Sequence, residues 1–466
     1  MVIGILVSLA LLTWIAFRGF SVILFAPLCA LVAALTAGLS PMPTYSELFM
    51  NSAGTYVKNF FPIFLLGAVF GKVMEDSGMA RSIAGWIVHK LGTSRAVISI
   101  VIAASILTYG GVSLFVVGFA VYPFANAIFQ EANFPRRLIP GCIALGAFGC
   151  TMTAIPGTPQ IQNMIPTKYF GTDAYAAPVF GLIGAALIYG IALFWLEMRK
   201  HRMIANGEGF GAIDTRHVKD EVENDVPDVN PGLAALPLII TLVLNYVMTK
   251  VIAGWDPTMM EPTSKLALAS KVIPVATWAL IIALVAGILA GIIISARQFK
   301  VRGNLMTCLN AGTIGSLLAI MNTASEVGYG NIISSLPGFT TVKEALMGVS
   351  AGNPLISEFI MVNLLAGITG SASGGMSIAL ETMGQYYMEL ATQNGISVEL
   401  LHRIASMASG GFDTMPHNGA VITLLAICGL THKESYADIG MVSLVIPVGV
   451  TFVLTIVWSM LGLHMG

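Results

Sequence analysis

The run Ser409-Gly-Gly-Phe-Asp-Thr-Met-Pro-His-Asn-Gly-Ala-Val-Ile-Thr423 constrains this chain more than any other stretch. It gathers Gly410, Gly411, Asp413, Thr414, Pro416, His417, Asn418 and Gly419 between two apolar segments, 400–407 and 420–428. Polar, glycine-rich backbone in lipid is tolerated only where protein buries it or a wet cavity lines it. The rest of the chain makes lipid its main solvent: of 466 residues, 56% are hydrophobic and 10% charged, with mean hydropathy +0.82. An ordinary soluble domain is about a quarter charged. The run therefore predicts a membrane helix broken near mid-depth, where secondary transporters hold their solutes. The composition argues against a large soluble enzyme, and a net charge of −1 leaves no basic footprint for nucleic acid.

Spanning helices need about 20 apolar residues. Residues 2–17 and 21–39 read as the first two, with no basic leader or cleavage site to make the first a removable signal. A polar loop is expected over 40–59, a span over 60–73, and an amphipathic surface helix over 81–95 with Ile83, Trp86, Ile87 and Leu91 on one face. Residues 96–107 are too short to span and stop at Thr108-Tyr-Gly-Gly-Val-Ser113; 138–148 stop at Thr151-Met-Thr-Ala-Ile-Pro-Gly-Thr-Pro-Gln160. After a hydrophilic linker, 197–231, come spans at 233–251, 275–294 and 305–321, the last ending in Thr323-Ala-Ser-Glu-Val-Gly328. A short segment, 354–365, stops at Thr369-Gly-Ser-Ala-Ser-Gly-Gly-Met-Ser377, and a last span covers 439–463. The five cysteines are scattered through apolar stretches and read as small core residues, without metal spacing or a disulfide framework.

The two halves share punctuation. Glu75-Asp-Ser-Gly78 answers Ser325-Glu-Val-Gly328, Gly110-Gly-Val-Ser113 answers Gly374-Gly-Met-Ser377, and Ile155-Pro-Gly-Thr158 answers Met415-Pro-His-Asn418. Interrupted segments at matching places in two halves point to a transport site. The units are 1–196, a cytoplasmic linker 197–231, and 232–466. Arg and Lys at helix ends favour the cytoplasm, which puts 197–202 and 297–302 inside and the loop near Trp255 outside. The repeats then run in opposite senses, with both termini exterior. The fold class expected is an all-α polytopic membrane protein of two inverted-topology repeats with broken helices or re-entrant hairpins.

A broken helix leaves free N–H groups and a positive dipole end at the start of its second half. Gly110, Gly111, Gly374 and Gly375 let backbone approach a ligand; Ser113 and Ser377 can cap a half-helix or donate to a carboxylate. Pro156 and Pro416 stop incoming helices, beside Thr153, Gly157, Thr158, Thr414 and Asn418; Ser371 and Ser373 add hydroxyls. No Arg or Lys lies in the four breaks, which suits a single carboxylate better than a di- or tricarboxylate, with Lys168 and Arg136 near enough in sequence to reach in. His417 and Asp413 are the candidates for a coupling proton, since ionisable groups within a membrane are functional by default. Glu358, Glu381 and Glu389 are weaker candidates, Asp76 and Glu326 read as helix-end devices, and His89, His402 and His432 as surface structural residues. No metal or cofactor site is expected.

Phe70-Gly-Lys-Val-Met-Glu-Asp-Ser-Gly78, Ser409–Thr423 and Cys428-Gly-Leu-Thr-His-Lys-Glu-Ser-Tyr436 together resemble the GntP family of gluconate and hydroxy-acid permeases, within the ion transporter superfamily. The resemblance covers nearly the whole chain. It implies a proton-driven importer of small carboxylates in the bacterial inner membrane, a homodimer, and an elevator-type division into scaffold and moving transport domain. Gluconate-type members are expected to be rich in proline and histidine at the first broken segment. Thr153-Ala-Ile-Pro-Gly-Thr-Pro-Gln160 has no histidine, which moves the resemblance toward D-beta-hydroxybutyrate permeases. The reading is proton symport of a small hydroxy-monocarboxylate. Its alternatives are an aldonate symporter and a Na+-coupled carboxylate carrier or Na+/H+ antiporter. A membrane-embedded enzyme is disfavoured by the lack of a nucleophile elbow, metal-spaced His pair or cofactor loop.

Overall fold

The computed structural model describes residues 2–18, 20–211, 229–254, 275–302, 305–349, 352–416 and 418–462. His417, Trp255 and residues 212–228 of the hydrophilic linker lie outside the described residues, so the expectations placed on them are not addressed by it; the first linker residues continue the Pro178–Ala205 helix. The described residues are helical, with no strand among them. Among the described residues six helical stretches are long and apolar enough to cross a membrane: Pro41–Asp76, Pro178–Ala205, Pro231–Ala253, Val275–Ile294, Leu305–Ser335 and His432–Met460. Helices dominate because each satisfies its backbone hydrogen bonds internally, which lipid cannot do for it.

Several boundaries differ from expectation. The polar loop at 40–59 is instead helical and continuous with the span after it. Phe49, Ala53, Tyr56, Phe60 and Ile63 recur at helical spacing and are buried, while Asn51, Thr55 and Lys58 between them are exposed. The surface helix at 81–95 is also corrected. Met79–Leu91 packs against Ala96–Tyr109, Leu114–Glu131 and Pro231–Ala253. Ile83 and Ile87 are buried and Trp86 is exposed. The buried face is widened by small residues, Ala80, Ala84 and Gly85, which a hydrophobic count undervalues. The helix expected to stop at Met321 runs on to Ser335. Thr323 to Gly330 do not break it because they are buried against the Met50–Asp76 and Ala372–Gln393 helices. Asp76 does end its helix, but Glu326 sits mid-helix, so it is not a helix-end device.

The breaks fall where Gly and Pro interrupt apolar runs. Ala96–Tyr109 stops at Gly110 and Gly111, whose φ of +94° is open to glycine, and Leu114–Glu131 restarts after Ser113. Ile139–Ala147 gives way to irregular backbone before Ile161–Phe170. In the second half, Pro354–Thr369 stops at Gly370 (φ +65°), and Ala372–Gln393 begins there. The break therefore lies before Gly374 and Gly375, which sit in the first turn of the next helix rather than at the interruption. Val398–Ser409 ends at Gly410, and Gly419–Cys428 resumes after Asn418.

Candidate functional site

The interruptions are clasped to one another by side chains. Gln160 Nε2 donates to the carbonyls of Thr108 (2.8 Å) and Val112 (3.2 Å), and Tyr109 Oη donates to the Pro156 carbonyl (2.8 Å). These bonds join the first two breaks. Asn418 does the same for the second two: Nδ2 donates to the Gly370 carbonyl (2.9 Å), while Oδ1 caps Gly419–Cys428 by accepting from Ala420 N (2.7 Å) and Val421 N (3.1 Å). Arg403 ties the halves together. Its fully buried guanidinium donates to the carbonyls of Thr153, Ala174 and Ala176 and to Asn163 Oδ1 (2.8 Å). His402 beside it is buried, with Nδ1 2.6 Å from Thr172 Oγ1, and is not a surface residue.

Against this clasped unit the Met50–Asp76 and Leu305–Ser335 helices leave a cavity of about 430 Å³. Lys72 from the first and Ser316, Gly312 and Gly315 from the second form one wall; Gly111, Ser113, Pro159, Gln160, Gln162 and Ser373 come from the breaks. Ile63, Phe64, Leu114, Val116, Met152, Ile161 and Leu284 make the remainder apolar. Among the described residues Lys72 is the only charged side chain in the lining. Its Nζ is 2.9 Å from Asp76 Oδ1 and 3.2 Å from Glu75 Oε2. Gln162 Oε1 is buried without a hydrogen-bond partner. A cation, two amides and three hydroxyls around one space can orient a carboxylate and a hydroxyl, and the apolar patch can cover a short alkyl group.

Of the expected site residues, Gly111, Ser113 and Ser373 line this cavity. Gly110 faces Leu238 instead, and Gly157 faces Tyr175. Thr153 offers its carbonyl to Arg403 (2.9 Å) and Ser406 (2.9 Å). Thr158 is buried with an unpartnered hydroxyl, and the helix that follows is flanked at its N-terminus by Gln160. Ser371, rather than Ser377, caps its half-helix, accepting from Gly374 N (3.1 Å). Gly375 is pressed on the backbone of Ala366, which is close helix packing. Gly374 lies under the Glu326 carboxyl, with Ser377 nearby and unpartnered. Thr414 bonds its own turn through Gly411 O (2.9 Å) and accepts from Tyr436 Oη (3.1 Å). Asp413 is buried and its Oδ1 has no partner. Arg136 and Lys168 do not line the cavity: Arg136 caps the C-terminus of Gly419–Cys428, and Lys168 pairs with Glu381 (3.7 Å).

Sequence reasoning missed Lys72, Gln160, Gln162 and Ser316. A lysine three and four residues before two carboxylates, inside an apolar helix, was the available signal for Lys72. The amides and Ser316 carry no local mark.

The chain is 46% identical to the uncharacterized transporter YxjC of Bacillus subtilis over 473 aligned residues, covering 98% of this chain and 99% of that protein. It is 25% identical to a gluconate permease of Bacillus licheniformis, covering 89% of each. Its fold is similar to that of the Alcanivorax borkumensis YdaH transporter, with a TM-score of 0.59 and 17% identity over 90% of this chain and 89% of that one. The model of the GntP family permeases matches residues 1–461. That match joins the long apolar helices to a full-length relative, and the chain belongs to the GntP permease family as a multi-pass inner-membrane transporter.

Proposed function

We propose that this protein imports a small hydroxy-monocarboxylate, 3-hydroxybutyrate before others, by proton symport. The observation that carries the reading is the cavity with Lys72 as its one charge. A single cation flanked by Gln160, Gln162, Ser113, Ser316 and Ser373 suits one carboxylate and one hydroxyl. The apolar remainder suits a methyl terminus and leaves most hydroxyls of a polyol chain without partners. Gluconate is the second reading, favoured by the name of the Bacillus licheniformis relative. Sodium coupling, or Na+/H+ antiport, is a third, since carbonyls at interrupted helices can hold Na+. Asp413 and His417 are the proposed coupling groups in the last break; the unpartnered Asp413 Oδ1 supports the first of them.

In the mechanism we infer, the units 1–196 and 232–466 are inverted repeats joined by the linker 197–231. The four clasped breaks form the moving body of an elevator, the early spans of each half form the scaffold, and two copies make a homodimer. Gln160, Asn418 and Arg403 support a body that moves as one piece, because each closes backbone groups of one break with a side chain from another segment.

The test is uptake of radiolabelled 3-hydroxybutyrate by proteoliposomes with an imposed pH gradient, with gluconate and Na+ as variables. Accumulation that needs the gradient and resists excess gluconate supports the reading. Accumulation of gluconate instead overturns the substrate and keeps the mechanism; proton flux driven by Na+ without either solute makes the protein an antiporter. His417→Ala should abolish gradient-driven uptake while exchange of preloaded substrate survives.

A further inference from the structure

We propose that Glu326 is a second protonatable site, on the Leu305–Ser335 helix, reached from the solute cavity through Ser373 and Thr323 and occupied by a proton during transport. This rests on the proton-symport reading above and adds to it a group outside the Ser409–Thr423 run that holds Asp413 and His417.

Glu326 is 2% exposed, and its Oε2 has no hydrogen-bond partner among the described residues. It is pressed onto Gly374: a Cβ there would lie 1.4 Å from Oε2. Glycine at 374 is thus what makes room for the acid, at the first turn of a broken helix. The Tyr56 hydroxyl lies beside Glu326, Ser377 and Thr323, and Tyr56 Oη and Ser377 Oγ are likewise without hydrogen-bond partners. Three buried oxygen groups without a hydrogen bond of ordinary geometry lie close together here, where buried polar atoms are ordinarily paired. A bare carboxylate with no counter-charge is costly there. A carboxylic acid, by contrast, can donate to a neighbouring hydroxyl.

The charged and titratable groups of the surrounding elements face elsewhere. On Met50–Asp76, only Tyr56 approaches Glu326; Lys72 is engaged with Glu75 and Asp76. On Ala372–Gln393, Glu381 is engaged with Lys168 and Tyr169. On Val22–Thr36, Cys29 lies by Ser8 and Tyr329. No cation among the described residues neutralises Glu326.

A path to the cavity exists. Ser316 and Ala319 line the cavity, and Thr323 and Glu326 continue the same face of their helix at helical spacing. From Ala319 to Glu326 the rise is about 10 Å. Thr323 Oγ1 is 3.4 Å from Ser373 Oγ, and Ser373 lines the cavity. Ser373 and Thr323 thus place hydroxyls between the cavity and the helix face that carries the acid, the route proposed for a proton entering with the solute.

The test uses the full chain in proteoliposomes. Infrared difference spectra across a pH step should show the carbonyl band of a protonated carboxylic acid that is lost in Glu326→Gln. In the same variant, accumulation of 3-hydroxybutyrate on a pH gradient should be lost while counterflow of the solute persists, and Glu326→Asp should restore accumulation. An unchanged band in Glu326→Gln, or accumulation that survives in it, overturns the proposal. Exchange that becomes dependent on Na+ rather than pH through Glu326 overturns the proton assignment. Wild-type protein that accumulates nothing on a pH gradient would defeat the symport reading, and the infrared band would still decide whether Glu326 holds a proton. Should Glu326→Gln fail to fold, Thr323→Val interrupts the path with Glu326 in place; unslowed gradient-driven accumulation in that variant also overturns the proposal.

Discussion

Arg403→Met removes the guanidinium that joins the last third of the chain to the second break. Five hydrogen bonds are lost. At about 1.5–3 kcal/mol for each bond to a charged group, simple addition would exceed the whole stability of many domains, and that sum is wrong here. Thr153 O keeps a donor in Ser406 Oγ (2.9 Å). Ala174 O keeps Gly157 N (2.8 Å) and Asn163 Nδ2 (2.9 Å). Asn163 Oδ1 stays 3.3 Å from His402 Nε2. Only the Ala176 carbonyl, which takes two of the five bonds, is left with no donor among the described residues. One orphaned buried acceptor costs about 1–3 kcal/mol, and methionine keeps most of the packing of the buried stem. Relief from burying the guanidinium offsets part of the cost. The expected loss is about 2 kcal/mol, roughly thirty-fold in the folding equilibrium. An SDS titration of the detergent-solubilised protein reads it directly. Arg403→Lys should fall between, because one ammonium cannot span acceptors that a planar fork reaches together. A loss above about 5 kcal/mol would refute the claim that the acceptors are doubly served, and an unchanged midpoint would refute the role of Arg403 altogether.

Lys72→Gln should raise the KM for the carboxylate in proteoliposome uptake, because Lys72 lines the cavity, while also removing the ammonium that Glu75 and Asp76 share; an unchanged KM argues against carboxylate contact. Gly157→Ala combines φ +84° with a Cβ 2.4 Å from Tyr175 Cε1, and should destabilise by about 1–3 kcal/mol; the same SDS titration checks it, and added Tyr175→Ala should recover only the clash part. Asn418→Ala loses two cap bonds and the clasp to Gly370, and should cost about 1–2 kcal/mol by that titration, with a larger fall in transport rate than in yield.

The membrane class and the places of interruption were legible because each is written locally. Length and apolarity mark the spans, and Gly110-Gly111, Pro156-Gly157 and Pro416 mark the stops. Asn418 as a helix cap follows from residue type and position alone. What failed was whatever depended on the far side of a contact. Residues 44–59 look polar but form helix because one face meets the Leu305–Ser335 helix. Glu326 looks like the end of a span because nothing local says that Gly374 lies against it. Gly374-Gly375 and Ser377 were aligned with Gly110-Gly111 and Ser113, although the chain breaks at Gly370 and the capping serine is Ser371. Lys72 lies outside the interrupted segments, and it reaches the site because the cavity is bounded equally by two uninterrupted helices.

The amides of Gln160 and Asn418 and the guanidinium of Arg403 occupy carbonyls that the interrupted helices leave open. Those carbonyls do not wait for a ligand to satisfy them. On the elevator mechanism proposed above, a body braced in this way keeps its shape when empty, and the vacant carrier has no open backbone groups holding it at one face of the membrane. Net uptake, in which the unloaded protein resets between cycles, would then be as accessible to it as one-for-one exchange.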